Sequence, residues 1–286
     1  MAVVYRGMSQ AELEKQYNAR DSVADFPAEM ATYRRLSEEC YEACTVMRDL
    51  VYGPSEDERI DFFPAATTDA PVFVFLHGGY WRALGRKDSA FMAESLVAHG
   101  VSVAVVEYGL APRVSVDTIV DQARRAVAFI YEHAVDLGID RSRLFIGGSS
   151  AGAHLSAMVL GTDWASQFGL DKGPIQGAML ASGLFDLEPV RLCAPNAWLK
   201  LDAQAAARNS PMRHLPKSEV DILLTWGGFE TDEFKRQSAQ YAETLRAAGF
   251  APKVMPVDDR NHFDIIVDLN DPSRMLFRAL LQMICE

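Results

Sequence analysis

The stretch FIGGSSAGAH, residues 145–154, decides how the rest of the chain is read. A short apolar run ends in two glycines, two serines follow, and small helix-forming residues come next. A nucleophile elbow has this layout: a strand, a very tight turn with serine in a strained backbone conformation, then a helix. The residues two before and two after the serine must be small, because they approach each other closely. Framed on Ser150, those neighbours are Gly148 and Gly152; framed on Ser149, they are Gly147 and Ala151. Two glycines cost least, so Ser150 is the expected nucleophile and Ser149 its neighbour on the pocket wall. The plainer alternative is an ordinary turn whose serine caps a helix.

Outward from this turn the chain keeps one rhythm. RIDFFP (59–64), PVFVFLHGG (71–79), VSVAVVEYG (101–109), RLFIGGS (143–149), GAMLASG (177–183), VDILLTWGG (220–228) and KVMPVDD (253–259) read as strands. Between and after them lie amphipathic stretches such as VDTIVDQARRAVAFIYEHAVDLG (116–138), closed by Gly138 as a C-cap, DEFKRQSAQYAETLRAAG (232–249) and PSRMLFRALLQMICE (272–286). Short apolar runs alternating with amphipathic helices predict an α/β fold, a mostly parallel sheet covered on both faces. Residues 9–50 read mainly as helix. Residues 184–219, richer in Pro, Ala and Arg, read as a small cap-like excursion within a single domain spanning 1–286. No repeat, low-complexity tract or linker divides the chain.

Ligand sites in such sheets lie beyond the carboxyl ends of the strands. HGGYW (77–81) is suited to donate main-chain N–H groups to a developing oxyanion, with Gly79 the leading donor, Gly78 or Tyr80 beside it, and Ala151 as the second donor at the helix start. In open α/β sheets with an elbow, the acid and the histidine follow the serine in the chain. Of the six histidines, His262 in DDRNHFD (258–264) lies in a polar loop after the last strand and is the expected base. His77 precedes the serine and reads as a buttress of its own loop. His154, one turn along the elbow helix, reads as structural, and His133 and His214 fall in helical or cap sequence. For the acid, WGGFETDEF (226–234) offers Glu230 on the turn leaving the strand, with Asp232 the alternative; Asp232 and Glu233 suit the start of the next helix.

Bulk properties narrow the function further. The formal charge of −11 argues against a nucleic-acid or anionic-membrane partner. No apolar window suggests a signal peptide or a membrane span, so a cytoplasmic setting is expected. Cys40, Cys44, Cys193 and Cys285 are scattered, with no second pair to complete a zinc site, and read as structural thiols. This reading calls for no metal and no other cofactor. A homodimer is compatible with it, but the sequence does not fix the oligomeric state.

Taken together, HGGYW, GGSSAGAHL (147–155), the acid after WGGF and NHFD (261–264) resemble the arylformamidase (kynurenine formamidase) family of the esterase/lipase α/β-hydrolases. LEKQYNAR (13–20), SGLFDLEPV (182–190) and FKRQS (234–238) are similar to the same group, so the resemblance covers most of the chain. It implies an α/β-hydrolase fold and hydrolysis of a small aromatic formamide, N-formylkynurenine being the best-known case. The serine, acid and histidine roles fall on Ser150, Glu230 and His262. Two positions depart from the common pattern: Ser149, where many members have histidine, and Glu230, where aspartate is frequent. On this reading Tyr80, Trp81 and Phe185 are expected as an aromatic wall for the leaving aryl amine.

Overall fold

The computed structural model describes residues 3–286. Eight strands form one sheet: β1 (Met47–Val51), β2 (Arg59–Phe63), β3 (Ala70–Leu76), β4 (Ser102–Val106), β5 (Ile139–Ser149), β6 (Ile175–Ala181), β7 (Asp221–Thr225) and β8 (Lys253–Val254). Their order across the sheet is β1-β2-β4-β3-β5-β6-β7-β8. The β1–β2 and β2–β4 pairs are antiparallel, and every pair from β4 through β8 is parallel.

Alternation along the strands explains why they read as unbroken apolar runs. In β3, Val72, Val74 and Leu76 join the core on one face, while Phe73 and Phe75 join the core on the other. Ala104 and Val106 of β4 follow the first set, and Val103 and Val105 the second. With both faces covered, neither parity is free to be polar. The helices Val116–Glu132 and Ala151–Leu160 pack on the first face; Phe26–Ala43 and Met275–Cys285 cover the second.

Three local readings change. Residues 47–50, expected as the end of a helix, fall in the edge strand β1, because the helix before them stops at Ala43. The long amphipathic helix ends at Glu132 with His133 as its cap, five residues before Gly138. Gly138 instead supplies a left-handed turn, φ +67°, that leads into β5. The last strand shrinks to two residues. The 184–219 excursion consists of short helices, Glu188–Arg191, Asn196–Leu199 and Ala203–Arg208, set between β6 and β7.

The elbow occupies the centre of the sheet. In the β3–β5 register Leu76 lies opposite Gly148, and the helix that starts at Ala151 brings Gly152 onto the same spot. A Cβ at Gly152 would overlap the Leu76 carbonyl oxygen, and one at Gly148 would meet the same oxygen and the Gly152 carbonyl carbon at 2.6 Å. These obstacles are backbone atoms at the middle of a sheet, which cannot swing aside as a side chain would. Gly152→Ala is therefore expected to destabilise the protein by about 3 kcal/mol or more, beyond ordinary core overpacking. Urea unfolding measures this; a loss under 1 kcal/mol would mean that strand and helix separate easily.

Candidate active site

Ser150 has φ +56° and ψ −117°, a conformation rarely adopted by a residue with a side chain. Strain of this kind costs roughly 1–3 kcal/mol and persists only where neighbours over-determine it. Here the Ser150 N–H donates to the Ala181 carbonyl at 2.9 Å, and its own carbonyl accepts the His154 N–H at 3.1 Å. The turn thereby lifts the Ser150 side chain to the carboxyl edge of the sheet, where it lines a cavity of about 910 Å³ together with His262.

His262 reaches this cavity from the loop after β8. Its Nδ1–H donates to Glu230 Oε2 at 2.8 Å, which leaves Nε2 as the acceptor of the neutral ring. Glu230 is buried and fully occupied. Its Oε1 accepts from the Gly227 N–H at 2.6 Å and from Ser182 Oγ at 2.5 Å. Ser182 was not singled out by sequence. It follows β6 directly with φ +53°, and nothing in SGLFD signals that its hydroxyl serves a residue 48 positions away. Asp232, the alternative acid, faces solvent: its side chain is 86 % exposed at the start of the helix Asp232–Ala247 and pairs with Lys235 at 3.2 Å. Glu233 is no surface capping acid either. It is buried and accepts from the Tyr17 hydroxyl at 2.9 Å and from Arg236.

The loop after β3 makes a left-handed turn. Gly79, Tyr80 and Trp81 have φ of +96°, +51° and +53°, and the Gly79 carbonyl accepts the N–H groups of Arg82 and Ala83. Only the first of these residues is glycine, so the other two are held by their side chains. Trp81 is wholly buried, edge-on to His154 at 4.8 Å, and the Tyr80 hydroxyl donates to the Tyr17 carbonyl at 2.6 Å. As a result the N–H groups of Gly78, Gly79 and Tyr80, and that of Ala151, donate to no group among the described residues. Gly78 packs against the serine, with its missing Cβ 3.6 Å from Ser150 Cβ. His77 buttresses this loop as expected. Its ring is stacked on Tyr108, and its Nδ1–H donates to the Gly78 carbonyl at 2.9 Å. That bond fixes the plane of the Gly78–Gly79 peptide and with it the direction of the Gly79 N–H.

The aromatic wall is not the expected one. Tyr80 and Ser149 line the cavity, but Trp81 and Phe185 do not. Trp81 is consumed as the anchor of the strained loop. Phe185 is buried in the core, stacked on Tyr241 at 4.2 Å and 8°. The wall comes instead from Phe26 and Tyr33 of the N-terminal segment, Trp198 of the excursion, and Phe263. The N-terminal helix also grips the histidine loop: Tyr33 donates to the Phe263 carbonyl at 2.8 Å and Glu29 accepts from Asn261 at 2.8 Å. These contacts link residues more than 200 positions apart, and an amphipathic helix pattern carries no sign of them.

His154 is structural. It is completely buried, and its Nε2–H donates to the Asn209 carbonyl at 2.7 Å. Among the described residues no cluster of His, Cys, Asp and Glu could hold a metal ion, and no helix is long and apolar enough to cross a membrane.

Comparison with known proteins places this geometry. Residues 60–176 match the BD-FAE family model. Over 98 % of both chains, the sequence is 35 % identical to the kynurenine formamidase of Danio rerio and 34 % identical to that of Salmo salar. Among solved structures, a thioesterase candidate from Silicibacter sp. tm1040 superposes with a TM-score of 0.84 at 25 % identity, covering 96 % of this chain and 99 % of that one. A bacterial heroin esterase superposes at 0.67 and 24 % identity, covering 91 % and 90 %. Fold and relatives define a hydrolase of the α/β-hydrolase class that acts on formamide or ester bonds. Within that class, the chain belongs to the kynurenine formamidase family.

Two outcomes follow. Glu230→Gln keeps the shape but not the charge that orients His262, and is expected to lower kcat by about 10³–10⁴-fold, as orienting carboxylates do elsewhere. Asp232→Asn is expected to stay within twofold of wild type in the same steady-state assay. The second outcome concerns His154. Burial lowers its pKa from 6.5 to about 4. Above pH 6.5 both folded and unfolded chains hold it neutral. As pH falls from 6.5 to 4 the unfolded chain takes the proton first, so stability drops by up to about 3 kcal/mol across that window. Urea unfolding against pH should show this slope in wild type and lose it in His154→Leu.

Proposed function

We propose that the enzyme hydrolyses an aryl formamide, N-formylkynurenine being the foremost substrate, to the free aromatic amine and formate. Ser150 Oγ attacks the formyl carbon as His262 Nε2 takes the hydroxyl proton. The oxyanion is met by the Gly79 and Ala151 N–H groups, with Gly78 beside them. Glu230 holds the ring in place and stabilises the imidazolium. The C–N bond then breaks, and the imidazolium returns the proton to the departing aniline nitrogen. Water repeats the sequence on the formyl ester: a new C–O bond forms, the bond to Ser150 breaks, and formate leaves.

One observation carries this reading. A strained serine, a carboxylate-held imidazole and unpaired main-chain N–H groups converge at one cavity in a chain that matches kynurenine formamidases along nearly its whole length. A volume of about 910 Å³ lies in the range of small-molecule sites. Tyr80, Phe26 and Trp198 on its wall suit the aryl half of the substrate, and a formyl group has no chain to house.

The test compares N-formylkynurenine and formanilide with para-nitrophenyl acetate and butyrate. The reading expects the formamides to give the higher kcat/KM. A strong preference for butyrate would make the protein a short-acyl carboxylesterase with the same machinery. In parallel, a fluorophosphonate should label the wild type and not Ser150→Ala. Labelling that survives in that variant would remove Ser150 from its role.

A further inference from the structure

The protein carries a formal charge of −11, yet the wall of its cavity holds arginines without counter-charges. Arg82 and Arg20 both line it, and neither makes an ion pair or a side-chain hydrogen bond among the described residues. Other arginines of this chain, such as Arg86, Arg125, Arg191, Arg208 and Arg236, sit in ion pairs; what sets Arg82 and Arg20 apart is their place on the cavity wall.

Both guanidiniums are nevertheless held in place. Arg82 lies over the Trp198 ring at 4.7 Å, and Arg20 lies over the Phe26 ring at 4.7 Å. A guanidinium laid on an aromatic face is attracted by the ring while its N–H edge stays free to donate in plane. Each stack is tied to the reacting centre. The Arg82 N–H donates to the Gly79 carbonyl, so Arg82 is rooted in the loop that offers the oxyanion donors, and Trp198 Nε1–H donates to the Tyr80 carbonyl at 3.2 Å. On the other side Phe26 meets Phe263 at 5.1 Å, and Phe263 meets His262 at 5.2 Å.

The carboxylates on the same wall, Glu14, Asp21 and Asp88, form no ion pair with either arginine among the described residues. Glu14 accepts from Gln10 at 2.8 Å and from the Ala194 N–H at 2.9 Å, and Asp21 accepts from Asn18 at 2.8 Å. Burial pushes Asp88 above the usual carboxylate range, and it is the acid on which Arg34 acts.

We infer that Arg82, with Arg20 as a second arm, binds a carboxylate on the aryl portion of the substrate and selects anionic aryl formamides over neutral ones. This rests on the acyl-transfer reading above and adds the group that fixes the leaving half of the substrate. Both guanidiniums are exposed at the rim of the cavity; a planar fork suits a carboxylate, and the ring behind each one fixes the direction of its N–H edge. Held this way, the aryl amine is oriented before its C–N bond breaks.

The experiment uses two matched pairs, each differing only by the anionic group. N-formylkynurenine is compared with its carboxamide, and para-acetoxybenzoate with phenyl acetate. The readout is the ratio of kcat/KM within each pair for wild type, Arg82→Gln, Arg82→Lys, Arg20→Gln and the double Gln variant. Wild type should favour the anionic member. Arg82→Gln should cut the ratio by about 10-fold or more, the worth of one charge-assisted hydrogen bond, through KM more than kcat. Arg82→Lys should restore part of it, and the double variant should cut it further. A ratio unchanged in Arg82→Gln and in the double variant would overturn the inference. So would equal losses on both members of a pair, which mark a structural role only. If the formamides are not turned over at all, the acyl-transfer substrate is misread, while the ester pair still reports on Arg82.

Discussion

The backbone of Leu76 touches the main chain at Gly148 and Gly152 with no room for a side chain. That contact forces the chain from β5 to the following helix through one residue, and the residue caught in the turn is Ser150 at φ +56°. Because β3 supplies the touching carbonyl, the loop that leaves β3 is delivered beside the serine in the same stroke. Gly78 lies against Ser150 for this reason, and the N–H groups of Gly78, Gly79 and Ala151 are left without a partner among the described residues. The strain in the elbow and the strain in the loop are two sides of one packing constraint, each held by neighbours with nothing catalytic about them. Ala181 holds the first; Trp81, Tyr108 and Tyr17 hold the second.

The Glu230–His262 pair depends on different elements. Glu230 hangs from the turn after β7 and is fixed by the Gly227 N–H and the Ser182 hydroxyl, so its remaining oxygen has one direction left, toward His262. His262 in turn is located by a loop that the N-terminal helix grips through Tyr33 and Glu29. The first fifty residues are therefore no appendage. They build one wall of the cavity and hold the loop that carries His262, and Tyr17 adds a buried tie to Glu233.

How much of this could be read from sequence follows from the range of each interaction. The strained turn at Ser150, the glycine loop after β3 and the sheet rhythm are local backbone patterns, and these were legible. Glu230 and Asp232 could not be separated by spacing with certainty, since both follow the same strand; burial and the hydrogen bonds of Gly227 and Ser182 separate them. Aromatic residues were the weakest ground. Trp81 and Phe185 looked like pocket residues, but a large ring near a site is as useful for bracing a strained loop or stacking in the core. Of the rings that do line the cavity, Phe26, Tyr33 and Trp198 come from segments whose sequence shows only helix or excursion. Nor does sequence distinguish a solvated arginine from one laid on tryptophan and left unpaired.

We propose that Glu230 fixes the proton of His262 on Nδ1 and so leaves Nε2 free to act as the base. Proton NMR of the imidazole with ¹⁵N-labelled protein tests it most directly. A downfield Nδ1–H resonance should be present in wild type and in Ser150→Ala and disappear in Glu230→Gln. A resonance that persists unchanged in Glu230→Gln, or a neutral wild-type ring carrying its proton on Nε2, would contradict it.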